Sequence, residues 1–185
     1  MNDTVSMLLF SALFPPAAIV ESLRAELSGV SGPGSPDGVR WADPATWHVT
    51  LGFYAGDDDP STRAKWLRDQ LAGRPAPTLR LEGAGSFAHV LYLGVYGEGL
   101  TELAMAAGAG ADRPYLPHLT VARTRNEVPP ELPRRLSGYA SDSWTAEEVV
   151  LVRSDRTAGE DSGPSKYSVV ERFALPSGRG GPGGD

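Results

Sequence analysis

The chain has 185 residues, 41% of them hydrophobic and 22% charged, which is enough for one folded domain with a substantial core. Its formal net charge is −6, so it does not carry the overall basic surface of a protein that grips long nucleic acid by the backbone. It contains no cysteine, which removes disulfides, thiolate metal sites and thiol nucleophiles together.

Residues 7–14 form an apolar run with no basic residue before it and Pro15-Pro16 behind it, and read as a buried strand rather than a leader. The prolines open a helix reaching Leu27, with Ile19, Leu23 and Leu27 on one face. Residues 31–38 are a Gly/Pro/Ser loop, followed by a short strand at 39–42 and a longer one at 47–54. Asp57, Asp58 and Asp59 precede Pro60. The plainer reading makes Asp59 an N-cap and Pro60 the first residue of a helix running to Leu71, since three successive acids do not converge on one ion.

Strands are expected at 78–87 and 89–96, a helix at 100–107 ended by Gly108 and Gly110, and a strand at 116–124. A helix at 131–139 and strands at 149–153 and 165–173 complete the fold. The Gly-rich stretch 177–185 reads as a disordered tail to a single domain over 1–176. This order, with helices not alternating singly with strands, predicts an α+β fold with largely antiparallel sheet. No run approaches the roughly 20 apolar residues of a membrane span, and a cytoplasmic location is expected.

Two of the three histidines lie in a repeated tetrapeptide, His48-Val49-Thr50-Leu51 and His118-Leu119-Thr120-Val121. One H-x-T on a strand is weak evidence, because β-branched Thr is common there. Two copies carry more weight in a chain so poor in histidine. In extended backbone, His and Thr two positions apart point to the same face. Side-by-side strands would therefore present two imidazoles and two hydroxyls to one surface. Such a surface can supply an acid, a base and donors to anionic oxygens near neutral pH.

The flanks extend the pattern. Arg40 to Phe53 reads R-W-x-x-P-x-x-x-H-x-T-L-x-F, and Arg113 to Arg123 reads R-P-Y-x-P-H-L-T-V-A-R. Val90-Leu91-Tyr92-Leu93-Gly94-Val95 and Gly163-Pro164-Ser165-Lys166-Tyr167 add two more segments. On these residues the chain resembles the two-histidine phosphoesterase superfamily, and within it the bacterial RNA 2′,3′-cyclic phosphodiesterases, also called 2′-5′ RNA ligases. Gly52 and Tyr54 depart from it, standing where the family often has a basic residue and Leu.

The resemblance implies a bilobed fold whose two largely antiparallel sheets flank a central groove, with helices on the outer faces. It implies metal-independent, cofactor-free hydrolysis of a 2′,3′-cyclic phosphate to a 2′-phosphomonoester by a monomer acting on RNA ends or nucleotides. By similarity His48 is the proton donor and His118 the proton acceptor, with Thr50, Thr120 and Arg123 binding substrate. Strict alternation puts Arg123 on the face opposite His118, so its contact with phosphate requires a bulge or twist. A 2′-5′ RNA ligase and a nonenzymatic RNA-end or nucleotide-binding module are the alternatives. A binuclear metal hydrolase lacks the necessary ligand spacing. Trp47, Phe87 and Tyr167 could stack on bases, against a plainer reading as core. Arg134 and Arg135 read as a solvated face, and His89 as an exposed residue outside the motifs.

Overall fold

The computed structural model describes residues 5–33, 35–54, 58–111, 113–157 and 166–177. Gly163, Pro164, Ser165, Asp57 and the tail beyond Ser177 lie outside them. Among the described residues nine strands and four helices follow one another in the order β1 (Val5–Leu13), α1 (Ala17–Ser28), β2 (Val39–Trp41), β3 (Val49–Tyr54), α2 (Pro60–Leu71), β4 (Thr78–Phe87), β5 (Val90–Glu98), α3 (Leu100–Ala106), β6 (His118–Thr124), α4 (Glu131–Leu136), β7 (Trp144–Thr145), β8 (Glu148–Thr157) and β9 (Lys166–Ala174). The fold is α+β. The two-residue β7 carries too short a pattern to be seen in sequence.

Local chemistry accounts for the element ends that matter to the site. The Asp59 carboxylate accepts from the backbone N–H and hydroxyl of Thr62, and Pro60 is the first helical residue of α2. Asp58 pairs instead with Arg63, whose guanidinium lies over the Tyr54 and Trp66 rings. Trp47 and His48 are not in β3, contrary to expectation. Asp43 caps a 3₁₀ turn over Pro44–Thr46, and that turn delays the strand to Val49.

All strand pairs are antiparallel and join one hydrogen-bonded sheet in the order β7-β4-β5-β6-β3-β1-β8-β9, with β2 also on β6. The expectation of two separate sheets is corrected at one point. β3 and β6 touch through a single rung, Val49 opposite Leu119, which links the two halves of the sheet. Past this rung β6 exchanges β3 for β2, while β3 runs on beside β1 alone. Leu9, Leu13, Val49, Leu51, Leu119, Val121 and Leu81 share the main core with the buried residues of all four helices. A second, smaller cluster of Phe10, Ala12, Val150 and Val152 lies on the opposite face of β1 and β8. No helix among the described residues is long and apolar enough to cross a membrane.

Candidate active site

The Val49–Leu119 rung sits at the centre of the two tetrapeptides, and both of its residues are fully buried. Their neighbours His48, Thr50, His118 and Thr120 therefore turn to the other face, where all four are partly exposed. In an antiparallel pair, stepping out from the rung sets His48 across from Thr120 and Thr50 across from His118. Each imidazole thus faces the hydroxyl of the other motif, about a local twofold axis. The Tyr115 hydroxyl ties the segments together by donating to the Thr50 carbonyl at 2.6 Å.

The same backbone device orients both rings. His48 Nδ1 lies 2.7 Å from the Thr46 carbonyl and His118 Nδ1 lies 2.8 Å from the Leu116 carbonyl. A carbonyl oxygen only accepts, so Nδ1 carries a proton in each ring and Nε2 is the atom left for chemistry. When neutral, that nitrogen accepts a proton; when protonated, it gives one up.

A register shift follows each motif. In β3, Ser11 pairs with Gly52 and Ala12 with Thr50, leaving Leu51 as the extra residue. In β6, Leu91 pairs with Ala122 and Tyr92 with Thr120, leaving Val121 extra. Two successive buried residues result in each strand, Leu51-Gly52 and Val121-Ala122. The residue after them returns to the histidine face. That residue is Phe53 in the first motif and Arg123 in the second, both exposed. The bulge that Arg123 requires is thus present, and strict alternation is the wrong guide for this strand.

The first bulge explains the unusual pair Gly52 and Tyr54. Buried Ser11 accepts from the Gly52 N–H at 3.1 Å and donates to the Tyr54 hydroxyl, which donates to the Ala107 carbonyl at 2.7 Å. Burial pushes the Tyr54 pKa up to about 12, so that donor proton stays in place. The Ala107 oxygen drawn in by this chain occupies the space that a Cβ at position 52 would need.

The surroundings of the two histidines differ. His48 stacks on Phe10, with ring centroids 4.9 Å apart, and Phe14 and Tyr167 lie at 5.8 and 5.7 Å. Burial lowers its pKa below 6.5; the Thr46 carbonyl opposes this, and the charges of His118 and Arg123 lower it further. His118 meets Phe87 and Tyr92 edge-on at 5.2 and 5.5 Å. Phe87 and Tyr167 are exposed beside the imidazoles, which corrects their reading as core. Trp47 is core, at 3% exposure. His89 sits in the exposed β4–β5 turn with Nδ1 3.0 Å from the Asn126 carbonyl, away from the motifs in sequence. Arg134 and Arg135 are exposed in the last turn of α4. Among the described residues no three His, Cys, Asp or Glu side chains are grouped to hold a metal ion.

Known proteins resemble this chain over most of its length. The chain is 31% identical to an RNA 2′,3′-cyclic phosphodiesterase of Thermus thermophilus, over 91% of this chain and 90% of the relative. It is 31% identical to one of Geobacillus stearothermophilus over 77% of this chain, but there it spans about half (51%) of the relative's length. The structure superposes on Escherichia coli LigT complexed with 3′-AMP with a TM-score of 0.70 and 28% identity, covering 92% of this chain and 98% of LigT. A family model described as the 2′-5′ RNA ligase superfamily matches residues 15–158, which include both motifs and both bulges. Paired H-x-T strands on one antiparallel sheet and a match over most of the chain lead to one conclusion: this protein belongs to the 2′-5′ RNA ligase superfamily.

Proposed function

We propose that the chain hydrolyses RNA 2′,3′-cyclic phosphates to 2′-phosphomonoesters, without a metal, in a groove between the two halves of its sheet. The observation that carries this reading is the Val49–Leu119 rung, which brings two Nε2 atoms and two threonine hydroxyls to one face. The names of the relatives and the 3′-AMP in the LigT complex support the substrate class. Both motifs come from one chain, so a monomer is sufficient.

In this mechanism His118 Nε2 takes a proton from water as the water oxygen bonds to phosphorus. The bond from phosphorus to the 3′ oxygen breaks on the opposite side, and His48 Nε2 delivers its proton to that oxygen. Thr50 and Thr120 donate to the non-bridging oxygens, where charge grows in the pentavalent state, and Arg123 adds positive charge beside them. Burial of His48 suits the donor role once substrate is bound. The phosphate anion holds the imidazolium protonated, and the apolar wall makes it a strong acid as that charge shifts to the leaving oxygen.

The test is turnover of a nucleoside 2′,3′-cyclic phosphate in excess chelator, with the product isomer read by phosphorus NMR. The expected product is the 2′-phosphate at an undiminished rate. No turnover, a 3′-phosphate, or a rate restored only by a divalent ion would overturn the reading.

A further inference from the structure

Outside the two motifs, Arg40 reaches the histidine face by register. β2 pairs with β6 so that Arg40 lies directly across from Arg123, and Trp41 across from Ala122. Ala122 is fully buried and Trp41 packs on the main core. Directly opposed residues of an antiparallel pair share a face, so Arg40 and Arg123 both project to the side of His118 and Thr120. Both are exposed. Among the described residues Arg123 makes no ion pair.

The position of the pair says which anion it fits. Arg123 is three residues past Thr120, one of them taken up by the bulge, so Arg40, paired across from Arg123, stands roughly 7–10 Å along the strands from the threonine and beyond the reacting phosphate. That is the reach of one further nucleotide of sugar–phosphate backbone. Arg40 sits one strand beyond Arg123, away from β5. We infer that Arg40 is a specificity-determining residue that binds the phosphodiester on the 5′ side of the terminal nucleotide, so that the protein favours an oligoribonucleotide end over a mononucleotide. The inference rests on the proposed phosphodiesterase site and adds a second phosphate to it. It also reconciles an acidic protein with an RNA substrate: the cations are few, and these two stand side by side where the chain would leave the site.

The experiment compares a nucleoside 2′,3′-cyclic phosphate with a dinucleotide ending in the same group, for the wild type, Arg40→Gln and Arg40→Lys. The wild type should favour the dinucleotide in kcat/KM. Arg40→Gln should lose about tenfold on the dinucleotide, mainly through KM, and less than twofold on the mononucleotide. Arg40→Lys, which keeps the charge, should retain most of the preference. The slope of log kcat/KM against log salt for the dinucleotide should shrink by about 0.7 in Arg40→Gln, the value for one phosphate contact on a single strand.

Equal losses on both substrates, or no loss on either, would overturn the role of Arg40. Calorimetric binding of 3′-phosphorylated mono- and dinucleotides decides the same point without turnover. A protein that binds the dinucleotide through Arg40 yet cleaves neither cyclic phosphate would refute the catalytic reading and leave the Arg40 site standing. Thermal melting of both variants separates a binding defect from a folding one.

Discussion

The two halves of the site carry the same tetrapeptide, the same Nδ1 hydrogen bond and the same bulge, yet they stand in different environments. Around His48 the strands supply Phe10, Ala12, Val150 and Val152, and the position after the bulge is Phe53, at 67% exposure. Around His118 the matching positions are Val90, Tyr92 and Arg123. One imidazole is desolvated against the Phe10 ring; the other meets Phe87 and Tyr92 edge-on. The difference shows how a near-symmetric frame places two imidazoles in unlike surroundings. Backbone geometry sets which nitrogen is presented, and the side chains beneath it set how readily that nitrogen holds a proton.

The largest expected effect breaks the comparison outright. His48→Ala and His118→Ala should each lower turnover of a cyclic phosphate by about 10²–10⁴-fold while the fold persists. A phosphodiester with a p-nitrophenoxide leaving group needs no proton donor, so on it His48→Ala should recover most of the wild-type rate and His118→Ala should not. Recovery in His118→Ala instead would exchange the assigned roles.

The threonines sharpen the comparison by testing its symmetry. Thr50→Val and Thr120→Val keep the β-branched shape and remove the hydroxyl. A hydrogen bond to a charged group is worth about 1.5–3 kcal/mol, so kcat/KM should fall roughly ten- to hundredfold in each, with kcat affected more than KM. Unchanged rates in both variants would make them ordinary strand residues.

Gly52 and Ala122 occupy equivalent positions in the two bulges, but only Ala122 has room for a Cβ. Gly52→Ala should cost about 1–3 kcal/mol, the usual penalty for overpacking a core, seen as a lower urea midpoint. Ala122→Gly should cost less, as no clash is created. Equal effects would show that the Ala107 carbonyl can move aside freely.

The smallest effect concerns pH. Burial lowers the His48 pKa below its unfolded value of 6.5, so the unfolded chain binds more protons as pH falls past 6.5. The contribution of His48 to stability should therefore be intact above pH 6.5 and decline as pH drops toward the folded pKa. Phe10→Ala, by admitting water, should move the His48 titration up toward 6.5 in an NMR experiment. A midpoint unmoved by this substitution would mean that Phe10 does not desolvate the ring. The rate of the wild type should follow a bell-shaped pH profile whose limbs belong to the histidine pair together.

Much of this was legible in the chain itself. Histidine is rare, so two copies of H-x-T stand out, and period-two alternation puts each His and Thr on one face whatever surrounds them. Asp59-Pro60 announces its helix through local capping chemistry, which depends on neighbours in sequence alone. The placement of Arg123 was not legible, because a bulge depends on which strand lies alongside, and alternation by itself gave the wrong face. Phe87 and Tyr167 were misread as core for a related reason: an aromatic in a strand has the same local pattern whether its face meets helices or the histidines. Covalent sequence and short-range sterics determined the paired imidazoles and hydroxyls, their tautomer-fixing neighbours and most element boundaries. Tertiary structure alone decided the single rung that unites the motifs, the opposition of Arg40 to Arg123 and the desolvation of His48, since each arises from contacts between segments far apart in the chain.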